Sequence, residues 1–248
     1  MIKLLLSAYI FLLPVQLLSQ VNPIIKYYDS LWSPTTKESA FYSAEFSRQG
    51  NLYKCTAYWA NPRKLNGVGF FADTILAKPQ KLLLNYYQNG RLQDSSWYDE
   101  NSQAIFAYHY YQSGKLLARR LYDPKKDKET TEGFDEEGRI NKDFIYAREA
   151  AYPEGDNAWL RFISKNVNKA VPIKNGAPNG TYRVMILFMI DKNGVIASMK
   201  PETNYGYGME EEAMRVIRNS PNWNPLVSLG EAGNAWRRQP VTFVVTGK

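Results

Sequence analysis

Short aromatic and aliphatic runs alternate with polar, glycine-containing turns from Phe46 to Ile140. Tyr86-Tyr87-Gln88-Asn89-Gly90-Arg91-Leu92 is echoed by Tyr110-Tyr111-Gln112-Ser113-Gly114-Lys115-Leu116 and by Phe134-Asp135-Glu136-Glu137-Gly138-Arg139-Ile140. Gly90, Gly114 and Gly138 are spaced 24 residues apart, and Tyr98-Asp99-Glu100-Asn101-Ser102 falls midway between the first two. A step of about 12 residues is one strand plus one tight turn, which predicts an antiparallel β-meander. Glycine admits the positive backbone angle at each turn, and the preceding aromatic is set to stack on its neighbour in the next hairpin. Leu52–Trp59 reads as a further strand.

Beyond Tyr146 the period changes. Asp156 suits the N-cap of a helix from Asn157 to Asn166, with Trp159, Leu160, Ile163 and Val167 on its apolar face. Pro172 and the pairs Asn175-Gly176 and Asn179-Gly180 read as a loop before a strand from Thr181 to Ile190. Asp191-Lys192-Asn193-Gly194 then turns that strand into Val195–Met199, a hairpin by its turn chemistry. Met209–Asn219 reads as a helix, acidic at its start (Glu210, Glu211, Glu212) and basic near its end (Arg215, Arg218), and Pro221 stops it. Pro240–Val245 forms a last strand. The expected fold class is α+β: residues 21–151 form a β-rich repeat domain, and residues 152–248 form a second domain in the order α-β-β-α-β.

The N-terminus has a different character. Lys3 precedes an apolar run from Leu4 to Leu18 that ends in Ser19-Gln20, the layout of a secretory signal peptide over residues 1–20. The run is shorter than the roughly 20 residues that cross a membrane, and Pro14 interrupts it. No cysteine follows it to carry a lipid. The expectation is an exported protein of the periplasm or cell envelope, held at the membrane if the signal stays uncleaved.

Composition narrows the chemistry. Aromatics at 14%, with 18 tyrosines, fit β-rich architecture. The net charge of +7 is not gathered into the Lys/Arg stripe that nucleic acid requires, so no nucleic-acid partner is expected. Cys55 and His109 are the sole residues of their kinds, which leaves no disulfide and no two-histidine metal site or dyad. Cys55 reads as a buried small hydrophobe and His109 as a packing or strand-surface residue. The Asp191-Lys192-Asn193-Gly194 turn lacks the later ligands of a calcium loop. Nucleophile-elbow, phosphate-loop and zinc-protease motifs are absent. No catalytic, cofactor or metal residue is therefore assigned, and a non-enzymatic role is expected.

Two resemblances add to this reading. Residues 70–140 resemble MORN-type repeats of bacterial exported and antitoxin-like proteins, although Tyr122-Asp123-Pro124-Lys125 lacks the unit's glycine. From Tyr152 to Gly247 the chain resembles the TonB C-terminal domain, especially stand-alone versions in Bacteroidetes. This rests on Ala158-Trp159-Leu160-Arg161-Phe162-Ile163, Gly180, Phe188-Met189-Ile190-Asp191-Lys192-Asn193-Gly194, Glu211-Glu212-Ala213 and Trp223-Asn224-Pro225. The family's Tyr-Pro pair stands here as Val171-Pro172. The resemblance implies a small two-layer α/β sandwich whose edge strand, here Val241, Thr242, Phe243, Val244 and Val245, pairs with an extended partner segment, typically of a TonB-dependent outer-membrane transporter. Edge strands also permit a homodimer. The alternatives are a structural or immunity-like interaction protein that uses the repeat surface, and a hydrolase built from scattered carboxylates.

Overall fold

The computed structural model of the protein describes residues 22–246. The signal-peptide reading of residues 1–20 lies outside the described residues. Strands β1 (Ile24–Tyr28), β2 (Tyr42–Gln49), β3 (Leu52–Trp59), β4 (Lys64–Phe71), β5 (Pro79–Tyr86), β6 (Leu92–Tyr98), β7 (Ala104–Tyr110), β8 (Leu116–Asp123), β9 (Lys128–Phe134) and β10 (Ile140–Asn141) follow one another in chain order in an antiparallel sheet. Then come β11 (Ala147–Arg148), α1 (Asp156–Asn166), α2 (Val171–Lys174), β12 (Gly180–Ile190), β13 (Ile196–Pro201), α3 (Met209–Arg218), β14 (Leu226–Ser228), β15 (Glu231–Gly233) and β16 (Ala235–Val245).

Strand accounts for 48% and helix for 11% of the structure, so the expected α+β class is corrected to mostly β, and the TonB-like α/β sandwich is not shown. The physical reason lies in stretches that read as loops yet pair as strands, among them Leu226–Ser228, Glu231–Gly233 and Ala235–Gln239. The ten strands in meander order dominate the rest.

The chain divides into two compact units, residues 22–90 with 97–103, and residues 91–96 with 104–246; the sequence boundary at 151/152 falls inside the second. In the first unit β2, β3, β4 and β5 place Ala44, Ala57, Gly67 and Asn85 in one cross-strand row, and Phe46, Cys55, Gly69 and Leu83 in the next. The core of this unit is Tyr28, Tyr42, Ala44, Phe46, Cys55, Ala57 and Phe71. Trp32 stacks on Tyr42 with ring centroids 4.3 Å apart.

A single turn recurs along the chain. Asp29, Asp73, Asp99, Asp135 and Asp191 each accept, through side-chain Oδ1, the backbone N–H groups two and four residues ahead. Such Asx turns need a positive φ at the fourth position. Gly138 and Gly194 supply it at 85° and 80°, whereas Trp32 at 60° and Leu76 at 63° adopt it against a steric cost of about 1–2 kcal/mol each.

In the second unit the small residues Ala107, Ala118 and Gly133 are buried within β7, β8 and β9. The returning segment 144–146 lies close to this sheet. A Cβ on Gly133 would fall on the Phe144 ring, and the Tyr146 hydroxyl meets His109 Nε2 at 2.7 Å. Backbone bonds from Leu229 and Gly230 to Tyr146 and Ile145 then tie this segment to the β14–β15 turn of the sheet β11-β14-β15.

The remaining sheet, in the order β13-β12-β16, buries Val184, Ile186, Phe188 and Ile190 of β12 and Val241, Phe243 and Val245 of β16 on one face. Ala158, Trp159 and Ile163 of α1 and Met209, Ala213, Val216 and Ile217 of α3 complete that core. Asp156 is not the cap expected of it: Gly155 holds that position with φ 82°, and no side chain caps the helix. Val171–Lys174, expected as loop, forms a single helical turn with Pro172 in its first two positions.

Candidate functional site

Val241, Thr242, Phe243, Val244 and Val245 all lie on β16, the outermost strand of its sheet. Their side chains alternate: Val241, Phe243 and Val245 are buried, and Thr242 and Val244 are exposed. This is the period-2 pattern of a strand with one covered face.

The direction of the backbone groups follows from the residue opposite Pro240. β12 and β16 pair in unbroken register, with Met185 facing Pro240. The Met185 N–H donates to the Thr203 hydroxyl at 3.1 Å, and its carbonyl accepts from the Glu202 N–H at 2.8 Å. Both groups of Met185 therefore point away from β16. Opposed residues of an antiparallel pair exchange either two bonds or none, so the Pro240 backbone points away from β12, toward the free edge. The Pro240 carbonyl accordingly accepts from the Gln239 side chain at 2.7 Å. Alternation then directs the N–H and C=O groups of Trp236, Arg238, Thr242 and Val244 to the same edge. Among the described residues no strand lies beyond it. Proline is tolerated here because its missing N–H falls on the unpaired side, and it divides the edge into segments 236–238 and 242–244.

The strand is anchored from behind. Trp159 Nε1 donates to Gln239 Oε1 at 2.6 Å inside the core. Arg237 donates to the Ala150 carbonyl at 2.5 Å, and its guanidinium carbon lies 5.3 Å from the Trp223 ring centroid. On the opposite face Arg238 reaches past β12 to Glu202, with Nε to Oε2 at 2.8 Å and Nη2 to Oε1 at 3.1 Å. That guanidinium holds the Glu202 carboxyl below its ordinary range.

Trp236 and Arg238 were missed by the sequence reading, which started the strand at Pro240. The alternation of Trp236, Arg237, Arg238 and Gln239 was the available signal, but the inward positions carry Arg and Gln rather than aliphatic residues. Trp236, 54% exposed, is the largest side chain beside the free edge.

The other single-residue candidates resolve structurally. Cys55 is buried in the first unit, and desolvation pushes its thiol up to about 12. His109 is half-buried, and burial lowers its pKa. The helix glutamates have local partners. Glu210 accepts from the backbone N–H groups of Tyr205 and Gly206 at 2.9 and 3.1 Å. Glu212 accepts from the Asn168 N–H at 2.6 Å and from Arg215, whose side-chain hydrogen bonds lower its pKa. A surface cavity of about 460 Å³ along α1 contains one carboxylate, Glu154, beside Arg161 and Lys165. Among the described residues no group of three or more His, Cys, Asp or Glu side chains is placed to hold a metal, and no helix is long and apolar enough to cross a membrane.

No family model and no curated protein matches the chain. Part of it is similar to a mutant of S. aureus TarM in complex with fondaparinux, alpha-GlcNAc-glycerol and UDP. That match has 14% identity and a TM-score of 0.26 over 44% of this chain and 21% of that one. Part is also similar to the GtfA/B complex bound to UDP and GlcNAc, with 10% identity and a TM-score of 0.23 over 46% of this chain and 26% of that one. The chain spans about a fifth to a quarter of these structures, and likenesses of this size carry no argument about fold or activity.

Proposed function

We propose that this chain is a non-enzymatic envelope protein that binds an extended segment of a partner protein by adding it as a strand to β16. The supporting observation is the free edge: Thr242 and Val244 direct their backbone groups outward from a strand fixed on its other side by β12. Strand addition takes its affinity from main-chain hydrogen bonds and its selectivity from the side chains that flank them. Trp236, Thr242 and Val244 are the flanking side chains here. The resemblance of residues 152–247 to the TonB C-terminal domain supports a TonB-dependent outer-membrane transporter as the partner. The apolar run Leu4–Leu18 supports export to the periplasm or envelope.

Val244→Pro removes one outward N–H and leaves the β12 ladder intact, while Val244→Ala trims the side chain and keeps the N–H. Capture from envelope extract, with identification of the bound protein, tests the proposal. The parent and Val244→Ala are expected to retain a transporter, and Val244→Pro, still folded by circular dichroism, to lose it. Equal capture by all three rules out strand addition at this edge.

A further inference from the structure

The first unit contains a cavity of about 210 Å³ over the small residues of its central strands. Its floor is Cys55 and Ala57 of β3 and Gly67 and Gly69 of β4, directly opposed in register. Trp32 and Leu76 line it from the two Asp-led turns at Asp29 and Asp73. The equivalent turn position is glycine at Gly138 and Gly194 and the small Ser102 in the Asp99 turn, whereas the two turns at the cavity carry the large apolar Trp32 and Leu76. Strained positions of this kind cluster at ligand clamps.

Two polar side chains, Asn66 and Asn85, accompany the apolar lining, and Asn85 Oδ1 lies 2.7 Å from where a Cβ on Gly67 would stand. Asn66 stands at the irregularity where β4 slips against β3, lines the cavity and is 9% exposed. Its side-chain amide forms no hydrogen bond among the described residues. An amide that faces a cavity with its donors and acceptor open is a ready partner for a ligand. An apolar cavity of about 150 Å³ is large enough for benzene, so this one accommodates a single substituted ring.

We propose that this cavity binds a small planar aromatic molecule with one hydrogen-bonding group, its ring against Cys55 and Ala57 beside Trp32 and Leu76 and its polar group at Asn66.

Cys55 is the chain's single cysteine, so its alkylation, followed by mass spectrometry on the full chain, reports occupancy at one site. Phenol is expected to slow alkylation about three- to ten-fold more than toluene at equal concentration, as one buried hydrogen bond dictates. Asn66→Leu is expected to remove the advantage of phenol while toluene still protects. Leu76→Gly, which relieves the strained φ and so keeps the fold, is expected to speed alkylation and weaken protection by both. Unchanged alkylation in phenol, equal protection by phenol and toluene in the parent, or full protection of Leu76→Gly would each overturn the assignment.

Discussion

Trp159 and Gln239 face each other across the second unit's core, with the indole N–H 2.6 Å from the amide oxygen. The same amide donates to the Pro240 carbonyl, so one buried side chain satisfies a helix tryptophan and an edge-strand carbonyl together. Gln239→Leu preserves volume but leaves the Trp159 N–H buried without a partner, which costs about 1–3 kcal/mol. Urea unfolding is expected to show this as a lower midpoint at unchanged slope. A variant as stable as the parent would mean that the bond contributes nothing net.

Gly133 is required by close approach, since any Cβ there falls on the Phe144 ring. Gly133→Ala is expected to destabilise the protein by about 1–3 kcal/mol through overpacking. Phe144→Ala carries its own cost, yet the double variant should lose at least about 1 kcal/mol less than the two single changes added together. Strict additivity would show that the ring does not sit over Gly133 in solution.

How far the fold could be read from sequence depended on whether each residue's role was local. Asp191 and Gly194 announce their hairpin because turn chemistry is written in four neighbouring residues. Trp32 and Leu76 close the same kind of turn without glycine, so neither turn is written in its local sequence, and only the N–H groups accepted by Asp29 and Asp73 define them. Asp156 has the right chemistry for a cap but lies one residue inside its helix. β16 was read from Pro240 because proline signals a boundary; the pairing of Ala235–Gln239 with β12 is a long-range fact that Arg237 and Gln239 conceal. The candidate edge was legible in Val241–Val245, but the direction of its backbone groups needed Met185 and Thr203.

Two groups make stability depend on pH in separate windows. His109, flanked by Tyr146 with Asp94 and Arg120 nearby, has its pKa lowered chiefly by burial. The fold prefers its neutral form, so this contribution is complete above about pH 6.5 and is lost as pH falls through the lowered folded value. Glu212 has its pKa lowered chiefly by Arg215, so its contribution is present above about pH 4.5 and lost as pH falls through its own folded value. Melting temperature measured between pH 7.5 and 3 should decline in both windows. His109→Gln is expected to flatten the upper decline alone, and Glu212→Gln the lower alone, at a cost of about 1 kcal/mol at neutral pH for the partly exposed ion pair. A parent curve that is level from pH 7.5 to 5 would exclude the His109 assignment.

The orientation assigned to β16 makes a prediction of alternating sign along one strand. Thr242 and Val244 point their N–H groups at the free edge, whereas Val241 and Phe243 direct theirs at β12. Proline removes an N–H and fixes φ near a value that an edge strand tolerates, so the effect of substitution depends on which side the lost donor faced. Thr242→Pro and Val244→Pro are expected to lower stability by less than about 1 kcal/mol. Val241→Pro and Phe243→Pro should each cost about 3 kcal/mol or more, but they also truncate or reshape buried side chains. Val241→Ala and Phe243→Ala, which shorten the side chain and keep the N–H, separate these effects: each proline variant should remain clearly less stable than its alanine counterpart. Thermal unfolding of the six proteins decides the matter. If Thr242→Pro and Val244→Pro unfold the protein while the proline and alanine variants at 241 and 243 match, the outward groups belong to the odd positions and strand addition through Val244 loses its basis.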